Sequence, residues 1–297
     1  MREKVSFASG GVACAAWHYP GSNGGCVVMA GGFGVTKEPG TDRFAERFNA
    51  AGFDVLAFDF RRLGESEGEP RQVANIPDQL DDWRAAIAFA AALPGVERVA
   101  LWSFSLTAGQ VVQLAAEDLP LSAAIAQSAN LDGPAALRNA SRYQTPGSAI
   151  RLLGRALMDY ISGLTGGSPR LVALAAPQGQ VALLNTPDAQ DTNAALGDYP
   201  EWHQAIAARS VLPAALYKPG RFAADVRCPV LYVACTDDRS ALAAPARAAA
   251  SQSSAAQLLE VPGGHYAPFL DAHEVVVDAE IAFLSRHLVT TPAPQAQ

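Results

Sequence analysis

Short apolar runs alternate along this chain with longer stretches whose apolar residues recur every three or four positions. The first kind has the length and β-branched content of buried strands; the second has the spacing of helices packed by one face. "KVSFAS" and "VACAAWHY" predict an opening hairpin, with a turn at "PGSNGG" (20–25). "CVVMA" (26–30), "DVLAFDF" (54–60), "RVALWS" (98–103) and "LSAAIAQSA" (121–129) predict strands. Between them, "GTDRFAERFNAAG" predicts a helix with Thr41 or Asp42 as N-cap and Gly52 as stop. "PDQLDDWRAAIAFAAAL" (77–93) predicts a helix closed by Pro94-Gly95, and "LTAGQVVQLAAED" a further one. Strands and helices alternating at this spacing imply an α/β fold: a mostly parallel central sheet, covered by helices on both faces because parallel neighbours need crossovers.

The alternation breaks over 132–225. "ALRNASRYQTPGSAIRLLGRALMDYISGL", "TGGSPRLVALAAPQG" and "DYPEWHQAIAARSVL" contain helical pieces and no good strand pair. A stretch too long for a loop reads as a mainly helical lid inserted between sheet strands. Alternation resumes with "CPVLYVAC" (228–235), an alanine-rich helix over 242–253, "AQLLEV" and the closing helix "DAHEVVVDAEIAFLSRHL". The expected plan is a core of 1–131 and 226–289, a lid of 132–225 and a disordered tail of 290–297.

Composition narrows the class. The chain has 297 residues, 49% apolar and 17% charged, enough for a substantial core and unlike a disordered chain. A formal charge of -7 leaves no basic footprint, which argues against a nucleic-acid partner. Cys14, Cys26, Cys228 and Cys235 form no C-x-x-C pair and read as buried free thiols, with no zinc spacing. The segment "MREKVSFASG" lacks the apolar core of a secretory signal, and no uncharged run suits a membrane helix. The expectation is a cytoplasmic protein without a membrane partner; a lid with exposed apolar helices can support a homodimer.

Open parallel sheets carry their chemistry at the carboxyl ends of strands. In "VALWSFSLTAGQ", a strand runs into a helix through a turn bearing Ser105 at the apex, while Ser103 still belongs to the strand. Such a turn exposes the hydroxyl at a helix N-terminus, although a serine there can equally be an N-cap. The flanking glycines of G-x-S-x-G are replaced by Ser103 and Thr107; Ala108-Gly109 restore a thin helix face. "GGHYAPFL" places His265 after a strand, and "VACTDDRS" places Asp237 and Asp238 where a carboxylate can orient an imidazole or merely shape a turn. In "MAGGFGVTKE", Gly31, Gly32 and Gly34 let backbone approach a ligand, and the Phe33 N–H is a candidate oxyanion donor. A phosphate-binding G-x-G-x-x-G fails there because Lys37 stands at the last glycine position. Ser, Asp and His in that order, each at a different strand end, is the order of an α/β-hydrolase.

On these motifs the chain closely resembles the α/β-hydrolase superfamily over nearly all its length. "VVMAGGFGVTKE" is similar to the family's "HGFGGTKE" region, with Gly31 where histidine is common, and "LAFDFRRLGESEGEPR" is similar to its "FDYRGFGDSEG" loop. The resemblance prefers Asp238 over Asp237 as triad acid. It implies a lidded serine esterase, thioesterase or dienelactone-hydrolase-like enzyme, some relatives acting in polyketide pathways. Ser105 is then the nucleophile, His265 the base, Asp238 its orienting acid, and the Phe33 and Leu106 N–H groups the oxyanion hole. No metal or organic cofactor is implied, and the partner is a small-molecule acyl substrate. The lid, rich in Leu, Ile and Ala with Tyr143, Tyr160, Tyr199 and Trp202, is expected to form an apolar entrance for a medium or bulky hydrophobic acyl group. Gly32 and Trp202 are candidate substrate contacts, although Trp202 and His203 can equally be lid packing. Arg61 and Arg62 read as a carboxylate site or structural ion pairs; His18, His273 and His287 read as bystanders.

Overall fold

Strand burial sorts the central sheet before any topology is drawn. The computed structural model describes residues 2–197, 199–200 and 202–289. β3 (Gly25–Ala30), β4 (Asp54–Phe58) and β10 (Val230–Cys235) are buried at every position. β5 (Arg98–Phe104) and β6 (Leu121–Gln127) are buried over most of their length. Continuous burial is what a strand covered on both faces requires. The edge strands β1 (Glu3–Ser9) and β11 (Ala256–Val261) keep exposed positions. With β2 (Val12–Tyr19), these form one eight-stranded sheet ordered β1-β2-β4-β3-β5-β6-β10-β11. β2 runs antiparallel to both its neighbours, and every pairing from β4 to β11 is parallel.

Helices α1 (Thr41–Ala50) and α9 (His273–Leu288) pack on the sheet and on each other; α2 (Ile76–Ala91), α3 (Ser105–Ala115) and α8 (Ala243–Ala250) also pack on it. α2 starts as its sequence suggests: the Asn75 side chain accepts the Asp78 N–H, and a proline stands in the first turn. α1 differs from expectation. Its N-cap is Gly40 at φ 80°, with no side-chain cap, rather than Thr41 or Asp42. Thr41 is buried and its hydroxyl goes back to the Lys37 carbonyl, so tertiary packing has taken the capping hydroxyl.

The segment between β6 and β10 corrects a second expectation. It holds α4 (Gly133–Ala140), α5 (Pro146–Leu164), α6 (Thr192–Leu196) and α7 (Val211–Leu216). It also holds a three-stranded sheet ordered β8 (Ala182–Leu184), β7 (Leu171–Ala175), β9 (Ala205–Ala207). Strands of three to five residues are too short to leave an alternating signature to read. Buried Asp159 of α5 accepts the backbone N–H groups of Arg170 and Arg209 and pairs with the Arg209 guanidinium, tying helix to sheet. The four cysteines are free and buried, as their spacing implied. Among the described residues no helix is long and apolar enough to cross a membrane. The tail 290–297 lies outside the described residues.

Beneath the sheet, one buried carboxyl group stands almost alone. Glu280 of α9 is fully buried, and both carboxyl oxygens face the Trp102 indole N–H at 3.2 Å. Burial drives its pKa well above the ordinary carboxylate value, against the pull of that indole. The folded protein therefore keeps a proton that the unfolded chain releases, so stability falls as pH rises from the unfolded pKa toward the folded one. Glu280→Gln removes this dependence while keeping an acceptor for Trp102. Thermal melts should show the variant matching the wild type near pH ~4 and exceeding it by a few degrees near pH ~8.

Candidate active site

Ser105 sits where β5 gives way to α3. Phe104 is still extended, at φ -128° and ψ 161°, whereas Ser105 turns left-handed at φ 63°. For a non-glycine residue this conformation costs on the order of 1–3 kcal/mol and must be imposed by its surroundings. The Asn130 N–H donates to the Ser105 carbonyl at 3.0 Å and fastens the turn to the end of β6. A Cβ on Gly109 would lie 2.5 Å from the Pro219 ring and 2.8 Å from the Asn130 carbonyl oxygen, so only glycine lets the helix lie this close. Ser105 makes no side-chain cap; the N-cap position belongs to Phe104.

The two departures from the glycine-flanked motif form a pair. Ser103 Oγ lies 2.9 Å from Thr107 Oγ1 and 2.9 Å from the Ala30 carbonyl oxygen. Thr107 Oγ1 in turn reaches the Gly31 and Phe104 carbonyl oxygens, at 2.8 and 2.7 Å. Both side chains are fully buried. They join the elbow to the end of β3, and Ser103 points away from the cavity. Gly31 is explained by the same loop. A Cβ there would meet the Thr36 carbonyl oxygen at 2.6 Å and that of Val35 at 2.7 Å, so the chain itself fills the space a larger residue needs. Buried Lys37 holds this loop through ion pairs to Asp59 at 2.8 Å and Glu65 at 2.6 Å.

His265, in the loop after β11, and Asp238, in the loop after β10, meet Ser105 in one hydrogen-bonded line. His265 Nε2 is 3.0 Å from Ser105 Oγ, and Nδ1 is 2.8 Å from Asp238 Oδ2. The other Asp238 oxygen accepts the Ser240 and Ala241 N–H groups at 2.8 and 2.6 Å, which fixes the carboxylate. Asp237 is exposed and accepts the Gly263 N–H at 3.2 Å, a turn-shaping contact. Burial raises the Asp238 pKa. For His265, burial disfavours the imidazolium, but the facing carboxylates Asp238 and Asp188 outweigh it and leave the pKa raised.

Asp188 is the site residue that the sequence does not reveal. It lies in a 3₁₀ turn (Pro187–Asp191) of the inserted segment. Its Oδ2 accepts the Arg239 N–H at 2.7 Å and the His265 N–H at 3.2 Å, and its Oδ1 accepts the Ser240 hydroxyl at 3.0 Å. It thus clasps both loops that present Asp238 and His265. A Cβ on Gly264 would lie 2.8 Å from the Asp188 Cβ, so this glycine admits the clasp. Burial works against the Asp188 charge, yet these donors and the His265 charge hold its pKa below the ordinary value. "TPDAQD" has no spacing that marks such a role.

A cavity of about 380 Å³ opens above Ser105. Gly32, Phe33, Leu106 and Trp202 line it, as expected of them, and Gly32 packs so tightly on Phe104 that a Cβ would fall 2.8 Å from its ring. Among the described residues no protein group accepts the Phe33 or Leu106 N–H. The walls are mainly Leu and Ala from α4, α5 and α7, with Leu174 and Leu183 from the small sheet. The lining is apolar as expected of the lid, but of its four named aromatics Trp202 alone lines the cavity, donating its indole N–H to the Gly34 carbonyl at 3.0 Å. Tyr160 lies 54% exposed, and the Tyr199 hydroxyl is spent on Asp42. His203 is exposed and does not line the cavity. Arg61 pairs with Asp82 at 2.6 Å and Arg62 with Asp78 at 2.6 Å, which is the structural reading. His18 pairs with Asp54, and His273 faces the Pro268 carbonyl oxygen, both away from Ser105.

A parallel sheet with one antiparallel strand near its edge, and a serine elbow at its centre, defines the α/β-hydrolase architecture. The sequence profile described as "Alpha/beta hydrolase family" matches residues 26–279. The chain belongs to that family and is an enzyme of the α/β-hydrolase type. It is 37% identical over 292 residues to the quorum-quenching protein AidA of Acinetobacter baumannii, covering 95% of this chain and 94% of that protein. It is 32% identical over 185 residues to the polyketide transferase ATR5 of Stachybotrys chlorohalonatus, covering 60% and 59% of the two. The alpha/beta hydrolase GrgF from Penicillium sp. sh18 superposes with a TM-score of 0.81 at 22% identity, over 97% of this chain and 99% of that one, a likeness of fold.

Proposed function

We propose that this chain is a serine hydrolase that cleaves an ester or thioester of a medium or bulky hydrophobic acyl group. The observation carrying the proposal is the hydrogen-bonded line Ser105–His265–Asp238 at the floor of an apolar cavity. Ser105 Oγ attacks the substrate carbonyl while His265 Nε2 takes its proton. The imidazolium that forms is held by Asp238. The Phe33 and Leu106 N–H groups, without an acceptor among the described residues, serve the developing oxyanion, helped by the N-terminus of α3. Collapse expels the alcohol or thiol, which takes the proton back from His265. Water, deprotonated by the same imidazole, then attacks the acyl-enzyme and frees the acid. Similarity to a quorum-quenching protein and to a polyketide transferase supports an enzyme acting on a small molecule.

A fluorophosphonate probe tests the nucleophile. Labelling of the wild type that is lost in Ser105→Ala supports it; labelling that persists there and vanishes in Ser103→Ala overturns it. A panel of esters and thioesters of increasing chain length then defines the acyl group. Similarity to a protein named a polyketide transferase favours a second reading, the same triad used for non-hydrolytic acyl transfer, cyclisation or elimination. Product acids formed in ¹⁸O-labelled water separate the two, since hydrolysis must incorporate solvent oxygen.

The pH profile should bear the imprint of two carboxylates. His265 must be neutral to act, so kcat/KM is expected to fall as pH drops through its raised pKa. Asp188→Asn keeps an acceptor for the two N–H groups and a donor for Ser240, but removes one negative charge. Its acid limb should move to lower pH, with the plateau rate held within about tenfold. Imidazole-nitrogen NMR of His265 reads the same shift without substrate.

A further inference from the structure

The outer side of α5 is apolar and has no partner among the described residues. Ile150, Leu153, Leu157, Ile161 and Leu164 are 53–71% exposed, at the three- and four-residue spacing of a helix–helix seam. The opposite face, Ser148, Ala156 and Asp159, is buried. At about 25 cal/mol/Å², a side chain worth 1.5–3 kcal/mol on burial presents on the order of 100 Å². These five, with Met158, Tyr160 and the exposed Leu137, Leu212 and Leu216, reach roughly 600 Å², at the top of the range for the largest patch of a typical monomer and approaching one side of a standard interface.

Gly154 says what covers that face. It stands mid-helix in the apolar stripe, where glycine costs about 1 kcal/mol relative to alanine. A Cβ there would meet nothing within 4 Å, so nothing among the described residues explains it. A glycine on an exposed apolar face serves the close approach of another backbone, which a lipid surface does not supply. It also lies beside the midpoint of Pro146–Leu164, where a two-fold axis would place each helix across its own copy. We propose that two copies of this chain pair through α5, crossing at Gly154. Leu137, Leu153 and Leu212 are both exposed and part of the cavity lining, so the second copy covers the rim of the cavity mouth.

Sedimentation equilibrium of the full chain tests this without substrate, so its outcome is independent of the Ser105 chemistry. The wild type should sediment at twice the chain mass. Gly154→Gln, whose side chain has open space in the monomer, and Ile161→Arg should each raise the dissociation constant by about 100-fold or more while retaining the wild-type circular dichroism spectrum. A wild type that stays monomeric at about 100 μM overturns the proposal, as does a dimer that both variants leave intact. Flotation of a monomeric wild type with phosphatidylglycerol vesicles would assign the face to lipid and also overturn it.

Discussion

Ser105→Ala is expected to lower kcat for ester hydrolysis by about 10⁴- to 10⁶-fold while leaving the fold and substrate binding close to wild type. The elbow is held by backbone contacts, the Asn130 N–H on the Ser105 carbonyl and the close seat of Gly109, and neither involves the hydroxyl. The loss should therefore fall on kcat. Steady-state kinetics with a chromogenic ester, beside a thermal melt, reads both. The neighbouring serine supplies the contrast. Ser103→Ala takes a hydroxyl from the buried pair with Thr107, so its cost is on the order of 1–3 kcal/mol of stability, with turnover held within about tenfold. A reversed pattern would move the chemistry to Ser103.

Asp238→Asn should cost about 10⁴-fold in kcat at neutral pH, because the amide enforces the wrong tautomer. Asp238 Oδ1 is pinned as an acceptor by the Ser240 and Ala241 N–H groups. An asparagine must keep its carbonyl oxygen there, which turns its NH₂ toward His265 Nδ1. Nδ1 then accepts, the ring proton moves to Nε2, and Nε2 can no longer take the Ser105 proton. Asp237→Asn should leave kcat within about threefold, since its contacts are the Gly263 N–H and Thr236 at a solvent-exposed turn. The two substitutions, one residue apart, separate an orienting acid from a turn former.

Much of this arrangement was legible in the sequence because strands that are buried on both faces are written as uninterrupted apolar runs. The ends of β5 and β10 could be located that way, and with them Ser105 and Asp238; the edge strand β11 is half exposed, and His265 was found from the short run before its Gly-Gly turn. The inserted segment was harder. β7, β8 and β9 hold together through tertiary contacts such as those of Asp159 rather than through alternation of their own residues. Asp188 was invisible for a related reason: its partners lie about fifty residues or more away, and an aspartate in a polar turn is unremarkable by composition. The Ser103–Thr107 pair shows the opposite case. The residues were visible, but their mutual hydrogen bond required the elbow to be built.

The Asp188 clasp bears on how this enzyme could be re-engineered. Specificity is commonly altered by exchanging the segment that walls the pocket, on the assumption that the chemistry stays behind on the sheet. Here a residue of the exchanged part holds the backbone of His265 and of Arg239. A chimera carrying a foreign insertion without an acceptor at this place would leave two buried donors unsatisfied and its acid and base loops untethered. The turn that holds Asp188 therefore belongs with the catalytic loops rather than with the exchangeable wall, and a graft that retains it keeps the machinery aligned.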